Sequence, residues 1–155
     1  MSNRANIIYW NQEYRDDFSR LNREWIERYF RLEPADWKVL SDPEGAIIQK
    51  GGQIFFAVEE GNVLGCCALV RHPETETYEL AKMAVTPAAQ GKGLGYLLGK
   101  TLLAYAAAQG VRKIYLKANT HLAASIHLYH KLGFKDVEMT HPVYDRCDLC
   151  MEISL

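Results

Sequence analysis

The feature that most constrains the fold is a cluster of glycines between a strand-like segment and a helix-like segment. Residues 78–85 read YELAKMAV, which is typical of a strand, and residues 90–101 read QGKGLGYLLGKT. From Leu94 onward, apolar side chains recur at the spacing of one helix face. Because glycine destabilises a helix interior, such a cluster at the start of a helix needs a reason. The pattern predicts a strand, a glycine loop and a helix in that order.

The loop is a candidate phosphate site because amides at a helix start lack intrahelical partners and carry partial positive charge. The dinucleotide motif G-x-G-x-x-G fails at Tyr96, and the motif G-x-x-x-x-G-K-[ST] fails because Leu94 stands where its first glycine belongs. The pattern [QR]-x-x-G-x-[GA] is met by Gln90, Gly93 and Gly95. A pyrophosphate fits such a loop when no side chain blocks its approach. A flexible connecting loop without a ligand is the alternative interpretation.

Composition indicates one globular domain covering residues 1–155. Apolar residues make up 48% and charged residues 24%, and the net charge is -1, with 18 basic against 19 acidic side chains. A nucleic-acid-binding role is disfavoured because no basic stripe stands out. We find neither a signal-peptide core nor an apolar segment of the roughly 20 residues that span a bilayer. The sequence therefore predicts a cytoplasmic protein without membrane contact, whose cysteines are thiols.

A C-x-x-C motif at Cys147 and Cys150 could be half of a zinc site or a redox pair. Residues 147–155 also alternate between apolar and polar, which predicts a strand. Residues three apart in a strand point to opposite faces, so the two thiols would not converge. Cys66 and Cys67 are adjacent and diverge for the same reason. We expect no metal site, since zinc needs convergent ligands.

The periodicity of the remaining segments predicts ten elements in the order β-α-β-β-β-α-β-α-β-β. Residues 34–45 are expected to be a turn-rich connector with one helical turn, and Thr120 is expected to cap the last helix, which Gly133 ends. The other predicted elements are a strand at Ile7 and Ile8, a helix over 12–31, a hairpin of 54–59 and 63–71 around a Gly61-Asn62 turn, strands over 78–85 and 111–119, helices from 94 to near 110 and over 121–131, and two strands at the end. This order indicates a single α/β or α+β domain with a mixed sheet.

Two segments resemble motifs of the GNAT N-acetyltransferase superfamily. YELAKMAVTPAAQGKGLGYLL is similar to its acetyl-CoA motif, and NTHLAASIHLYHKLGF is similar to the following motif, which ends in L-Y-x-K-L-G-F. Together they cover residues 78–134 in the family order. LNREWIERYF also resembles the N-terminal helix L-N-x-E-W-I-x-x-Y-F of one branch, which is sometimes fused to DNA-binding regulators. The resemblance implies an α/β (α+β) fold with a mixed, mostly antiparallel central sheet flanked by helices.

The resemblance also implies acetyl-CoA as the cosubstrate and no metal. The strand backbone at Met83 to Val85 would pair with the pantetheine arm, and the loop amides would hold the pyrophosphate. Asn119 would hydrogen-bond the cofactor arm, although many family members carry this asparagine where this chain has Leu122. The implied cofactor-binding residues are Met83, Ala84, Val85, Gln90, Gly91, Lys92, Gly93, Leu94, Gly95, Asn119 and Tyr129.

The catalytic residues that the resemblance implies are Tyr129 and Glu79. Tyr129 would protonate the departing thiolate, because a phenol with a pKa of about 10 stays protonated at neutral pH. Glu79 would accept a proton from the amine through water, since an ammonium with a pKa of about 10 cannot attack. By strand alternation Glu79 should share a face with Ala81, Met83 and Val85. The alternative interpretations are a core aromatic for Tyr129 and a solvated strand end for Glu79.

The acceptor side is the least determined by the sequence. Asn22, Trp25 and Tyr29 could form a wall for an amine, or they could be the buried face of the first helix. His72, His127, His130 and His141 are expected at the surface. The leading hypothesis is acetyl transfer to a primary amine of a small molecule or peptide. The alternative is a CoA-binding sensor or interaction module without turnover, and a homodimer is a further hypothesis.

Overall fold

The strands and the three longer helices follow one another in the order that the periodicity predicts. The computed structural model describes residues 5–138 and 145–155, so His141 lies outside the described residues. The elements are β1 Asn6–Tyr9, α1 Arg15–Tyr29, α2 Pro34–Leu40, β2 Gln53–Glu59, β3 Asn62–His72, β4 Thr77–Val85, α3 Leu94–Ala108, β5 Lys113–Ala118, α4 Ala123–Leu132, β6 Lys135–Val137 and β7 Leu149–Ser154. Short 3-10 turns occupy Gln12–Tyr14 and Pro87–Ala89, and one π-helical turn occupies Glu44–Ile48.

The strands form one seven-stranded sheet in the order β1-β2-β3-β4-β5-β7-β6. All neighbouring strands are antiparallel except β4 and β5, which are parallel. The β2–β3 hairpin turns at Glu60 and Gly61, which both have positive φ values of 50° and 79°, as a tight primed turn requires. The turn is thus one residue earlier than predicted. The mixed, mostly antiparallel sheet is confirmed.

Both faces of the sheet are covered by helices, so the core has two layers. Helices α3 and α4 pack on one face, where the buried side chains include Phe55, Leu69, Leu98, Leu102, Ile114 and Met151. Helices α1 and α2 pack on the opposite face, where they include Phe18, Leu21, Leu40, Ile54 and Phe56. In α1 the buried Phe18, Leu21 and Ile26 follow the predicted helical spacing.

Two local predictions about helices were wrong. The expected connector contains the seven-residue helix α2, which begins with Pro34 and has a capping box between Glu33 and Asp36. Thr120 does not cap α4, which begins at Ala123; its hydroxyl instead donates to Asp148 Oδ2 at 2.7 Å. Gly133 ends α4 with a φ of 109°, as predicted.

The cysteines are free thiols throughout the described residues. Cys147 precedes β7, which begins at Leu149, so strand alternation does not extend to the whole C-x-x-C motif. Across residues 5–138 and 145–155 we find no group of three His, Cys, Asp or Glu side chains arranged to hold a metal ion. In the same ranges no helix has both the length and the apolar character needed to span a membrane.

Candidate functional site

A β-bulge interrupts β4 at Lys82. The register with β3 shifts there, so that Lys82 and Met83 together face Cys67 alone. Lys82 has a φ of 55°, a left-handed conformation that costs a lysine on the order of 1–3 kcal/mol. The bulge reverses the side-chain alternation, so Met83 and Val85 pack on the α3 side. The prediction that Glu79 shares their face was therefore wrong.

A cavity lies against β4 and β5, lined by β4 from Thr77 to the bulge at Lys82 and Met83. The two strands are paired only at Glu79 and Tyr115. The cavity has a volume of about 1120 Å³, which is ample for a small-molecule site. Its walls near the gap are formed by Ala81, Lys82, Met83, Ala118, Asn119, Ser125 and Tyr129. Predicted residues from three different elements thus meet at one cavity.

The glycine loop after β4 presents unpaired amides, as predicted. The first helical hydrogen bond of α3 runs from Leu97 N to Gly93 O at 3.0 Å. Within the described chain, the amides of residues 91–96 donate to no backbone carbonyl. Gly91 and Gly93 have φ values of 80° and 79°, and nothing lies within 4 Å of a Cβ built on either. Exposed amides at a helix start are suited to an anion.

The later glycines of the cluster have a different role from the first two. A Cβ on Gly95 would lie 3.0 Å from Leu128 Cδ2, and one on Gly99 would lie 2.5 Å from Leu132 Cδ1. These glycines let α3 approach α4 closely, so Gly95 does not serve only to clear the phosphate site. Its amide remains among the unpaired donors of the loop.

Two polar side chains flank the glycine loop. The Gln90 amide donates from Nε2 to Val85 O at 3.1 Å and so ties the loop to the end of β4. Lys92 is exposed beside the loop, where it adds positive charge near the free amides.

Tyr129 lies on α4 and lines the cavity, half-buried. Its ring packs edge-on against Phe134 with centroids 6.3 Å apart. Burial raises the pKa of its phenol, and the nearby Cys67 and Cys147 thiols act in the same direction. The phenol therefore stays protonated at neutral pH. No described residue hydrogen-bonds its hydroxyl, which leaves the proton available to a ligand.

Glu79 lies on the cavity wall within a small polar cluster. Its side chain is 12% exposed, and its Oε1 lies 2.8 Å from His72 Nε2. The Tyr115 hydroxyl donates to the same oxygen at 3.4 Å. Burial raises the pKa of Tyr115, and the charge of Glu79 raises it further. The carboxylate is thus held by two neighbours.

The sequence reasoning did not assign His72 and Tyr115 to the site. Their rings stack with centroids 6.0 Å apart, and both line the cavity. His72 was expected to be a surface histidine; its side chain is 36% exposed and its ring also contacts Glu79. The available signal for Tyr115 was its alternation with the buried Ile114 and Leu116 in β5, which directs it to the face opposite α3.

Two of the three α1 residues predicted to face an acceptor line the cavity. Asn22 and Trp25 line the cavity, and so does Phe30, which was not predicted. Tyr29 does not line it; this ring is exposed and packs against Trp25 with centroids 4.8 Å apart. Arg28 lies over the ring of Tyr29.

The two asparagines predicted to bind ligands are engaged inside the protein. Asn22 is 1% exposed and donates from Nδ2 to Phe18 O at 2.9 Å and to Cys66 Sγ at 3.4 Å. Asn119 donates to Arg146 O and accepts from His121 N at 2.7 Å. Both side chains therefore stabilise the walls of the cavity through internal hydrogen bonds.

A buried ionic network adjoins the bulge. Asp36 of α2 is fully buried; Lys82 Nζ donates to it at 2.8 Å, and Arg146 donates through two nitrogens at 2.7 Å each. Burial opposes ionisation of Asp36, but the hydrogen bonds from Arg146 and Lys82 prevail and lower its pKa to about 2. The network was not predicted, because its members are more than 40 residues apart in the sequence.

Sequence relatives agree on one family. Residues 8–134 match the Acetyltransferase (GNAT) family. Human N-acetylaspartate synthetase is 33% identical over 115 residues, which cover 74% of this chain and 37% of that protein. Mycothiol acetyltransferase of Tsukamurella paurometabola is 35% identical over 105 residues, covering 67% and 35%. The chain thus spans about a third of the length of these curated relatives.

Solved structures agree on the fold. An acetyltransferase of the GNAT family from Staphylococcus aureus Mu50 superposes with a TM-score of 0.86 at 20% identity, covering 97% of this chain and 98% of that one. The phosphinothricin acetyltransferase of Sinorhizobium meliloti, in complex with AcCoA, superposes with a TM-score of 0.80 at 20% identity, covering 99% and 89%. Taken with the match over residues 8–134, the chain belongs to the acetyltransferase (GNAT) family.

Proposed function

We propose that this protein is an N-acetyltransferase that transfers an acetyl group from acetyl-CoA to the primary amine of a small molecule. The observation that carries the proposal is the cavity beside β4 and β5, because Glu79 and Tyr129 both line it. Aminolysis of a thioester needs a base for the amine and an acid for the departing thiolate, and a carboxylate and a phenol can fill these two roles. Neither is needed by a protein that only binds the cofactor.

The residues present fit acetyl-CoA. The free amides of residues 91–96 would hold the diphosphate, with Lys92 beside them. The separated backbone at Met83 to Val85 would pair with the pantetheine arm. When bound, the thioester supplies the activated acetyl group. Asn119 would act by shaping the wall, since its side chain is bonded to Arg146 and His121.

Glu79 is assigned as the base. An alkyl ammonium with a pKa of about 10 must lose its proton before it can attack. Glu79 would accept that proton through water, while His72 and Tyr115 orient the carboxylate. A base of this kind contributes on the order of 10²–10⁴ in rate.

Tyr129 is assigned as the acid. Its half-buried phenol would donate a proton to the departing sulfur, and its raised pKa ensures that the proton is present. Trp25 of α1 and Phe30, which follows that helix, line the cavity and would exclude water around the reacting groups. Holding the amine against the thioester supplies much of the remaining acceleration.

The acceptor is proposed to be a small amine rather than a peptide. Two relatives are named for small molecules, N-acetylaspartate and mycothiol. We further propose one domain over residues 1–155, a cytoplasmic location and the family branch with the L-N-x-E-W-I-x-x-Y-F helix, here at residues 21–30. Whether the protein is a homodimer is a hypothesis to be checked by light scattering.

The test is thiol release from acetyl-CoA across a panel of amino acids, small amines and peptides. We expect release with small amines, reduced strongly in Glu79→Gln and in Tyr129→Phe. Tyr9→Phe is the matched control, because Tyr9 is an exposed tyrosine outside the cavity. If no amine releases thiol while acetyl-CoA still raises the melting temperature, the CoA-binding sensor is correct. If acetyl-CoA has no effect at all, the proposed cofactor is wrong.

A further inference from the structure

Lys82 is the residue that gives β4 its bulge, and its conformation needs an external cause. Its φ is 55°; among the described residues, the other non-glycine residues with positive φ are Glu60 and Glu76, which lie in exposed turns. The left-handed region crowds the Cβ of a lysine, so a central strand does not adopt it unaided. Contacts from neighbouring elements have to hold Lys82 there.

The first contact acts on the Lys82 side chain. Its Nζ donates to Asp36 Oδ1 at 2.8 Å, and the two side chains are 6% and 0% exposed. Asp36 is itself fixed, because Arg146 donates to both of its oxygens and the amide of Glu33 donates to Oδ2 at 2.9 Å. The Asp36 carboxylate is therefore held in place, and through Arg146 it also links α2 to the segment before β7.

The second contact acts on the Lys82 backbone. The Cys66 thiol donates to Lys82 O at 3.6 Å. Cys66 Sγ in turn accepts from Asn22 Nδ2 of α1 at 3.4 Å. The bulge is thus held through the Lys82 side chain from α2, and through the Lys82 carbonyl by Cys66 of β3, which Asn22 of α1 contacts in turn.

The bulge coincides with the separation of the sheet. Pairing of β4 with β5 is confined to Glu79 and Tyr115, and beyond this pair the cavity is lined by β4 as far as Met83 and by β5 as far as Ala118. We propose that Asp36 is a positioning residue for cofactor binding: through Lys82 it holds the bulge that keeps β4 apart from β5. This inference rests on the proposed function, because the gap is the slot assigned to the pantetheine arm.

The first variant is Asp36→Asn, which removes the charge that anchors Lys82. We expect the Kd and the KM for acetyl-CoA to rise about tenfold or more, the equilibrium shift that corresponds to the strain of one left-handed residue. The kcat at saturating acetyl-CoA should change much less, because the variant still reaches the open form when ligand is bound. An unchanged Kd overturns the proposal.

A rescue experiment separates positioning from simple charge balance. Glycine adopts positive φ without strain, whereas alanine does not. We expect Asp36→Asn/Lys82→Gly to regain acetyl-CoA affinity and Asp36→Asn/Lys82→Ala to remain weak. Both double variants remove the buried ammonium equally. If both regain affinity to the same extent, Asp36 serves only to balance a charge, and the proposal is wrong.

If Asp36→Asn fails to fold, the single variants Lys82→Gly and Lys82→Ala make the same comparison with Asp36 still held by Arg146. Crystals of ligand-free Lys82→Ala give a readout that needs no cofactor. We expect residue 82 to leave positive φ and the β4–β5 pairing to extend past Glu79 and Tyr115. A retained bulge overturns the positioning role. Absence of acetyl-CoA binding by the wild type would instead refute the proposed function and the cofactor-binding role of Asp36 with it, whereas the crystals would still report whether Lys82 holds the bulge.

Discussion

Replacing Gly93 with glutamine separates the binding role of the glycine loop from its conformational role. Gly93 has a φ of 79° and nothing within 4 Å of a Cβ built on it. A side chain there makes no steric clash, but the left-handed backbone conformation lowers the free energy of unfolding by about 1–2 kcal/mol. In a protein of this size, that cost lowers the melting temperature by about 2–8 °C. Gly61 in the β2–β3 turn has the same φ of 79° and the same open surroundings.

Gly61→Gln is therefore the matched control, with the same strain at a distance from the cavity. For the wild type and for Gly61→Gln, acetyl-CoA at about 100 times its Kd should add about 2.7 kcal/mol, or roughly 5–11 °C. Gly93→Gln should lose most of that increase, because its side chain occupies the approach to the loop amides. The assay is scanning calorimetry with and without acetyl-CoA. An increase in Gly93→Gln equal to that in Gly61→Gln would refute the phosphate-binding role of the loop.

The other predictions concern the proton-transferring groups and the buried network. Tyr129→Phe should lower kcat by about 10²–10⁴ with little change in the Kd for acetyl-CoA, measured by single-turnover kinetics and calorimetry; unchanged turnover would remove the phenol from the mechanism. Glu79→Gln should lower kcat/KM at neutral pH and recover activity toward the amine pKa of about 10, where the amine is already neutral; a pH–rate profile like that of the wild type would point to another base. In the folded protein the pKa of Asp36 is about 2, below its ordinary value of 3.8. The ionised carboxylate therefore stabilises the fold above about pH 4, and this contribution is lost as the pH falls to 2. At 1.36 kcal/mol per unit the loss is about 2 kcal/mol, measured by urea unfolding; a carboxyl titration midpoint of Asp36 near 4 would contradict it.

The two functions of the glycine cluster illustrate what a motif can and cannot predict. The spacing of Gln90, Gly93 and Gly95 correctly predicted a loop of free amides at a helix start, because only local backbone conformation is involved. The contact of Gly95 and Gly99 with α4 depends on where a distant helix lies. The sequence shows only that a residue is glycine. It does not show whether the absence of a Cβ leaves room for a ligand or for a side chain such as that of Leu132.

On the acceptor side of the cavity, too, the sequence could not predict which partners the polar side chains bind. Helical spacing correctly placed Phe18, Leu21 and Ile26 in the core. The same spacing could not show that the Asn22 amide is occupied by Phe18 O and Cys66, because the second partner comes from β3. Hydrogen bonds between distant strands and helices are not encoded in local periodicity.

The sequence by itself determined the order of the strands and of the three longer helices, and the glycine loop. These follow from local periodicity and from glycine conformational preferences, which neighbouring residues set. The tertiary structure alone decided the β4 bulge, since no glycine marks Lys82 and its positive φ accompanies contacts with Asp36 and Cys66. It also brought His72 and Tyr115 to Glu79, because only the packing of separate strands brings such side chains together.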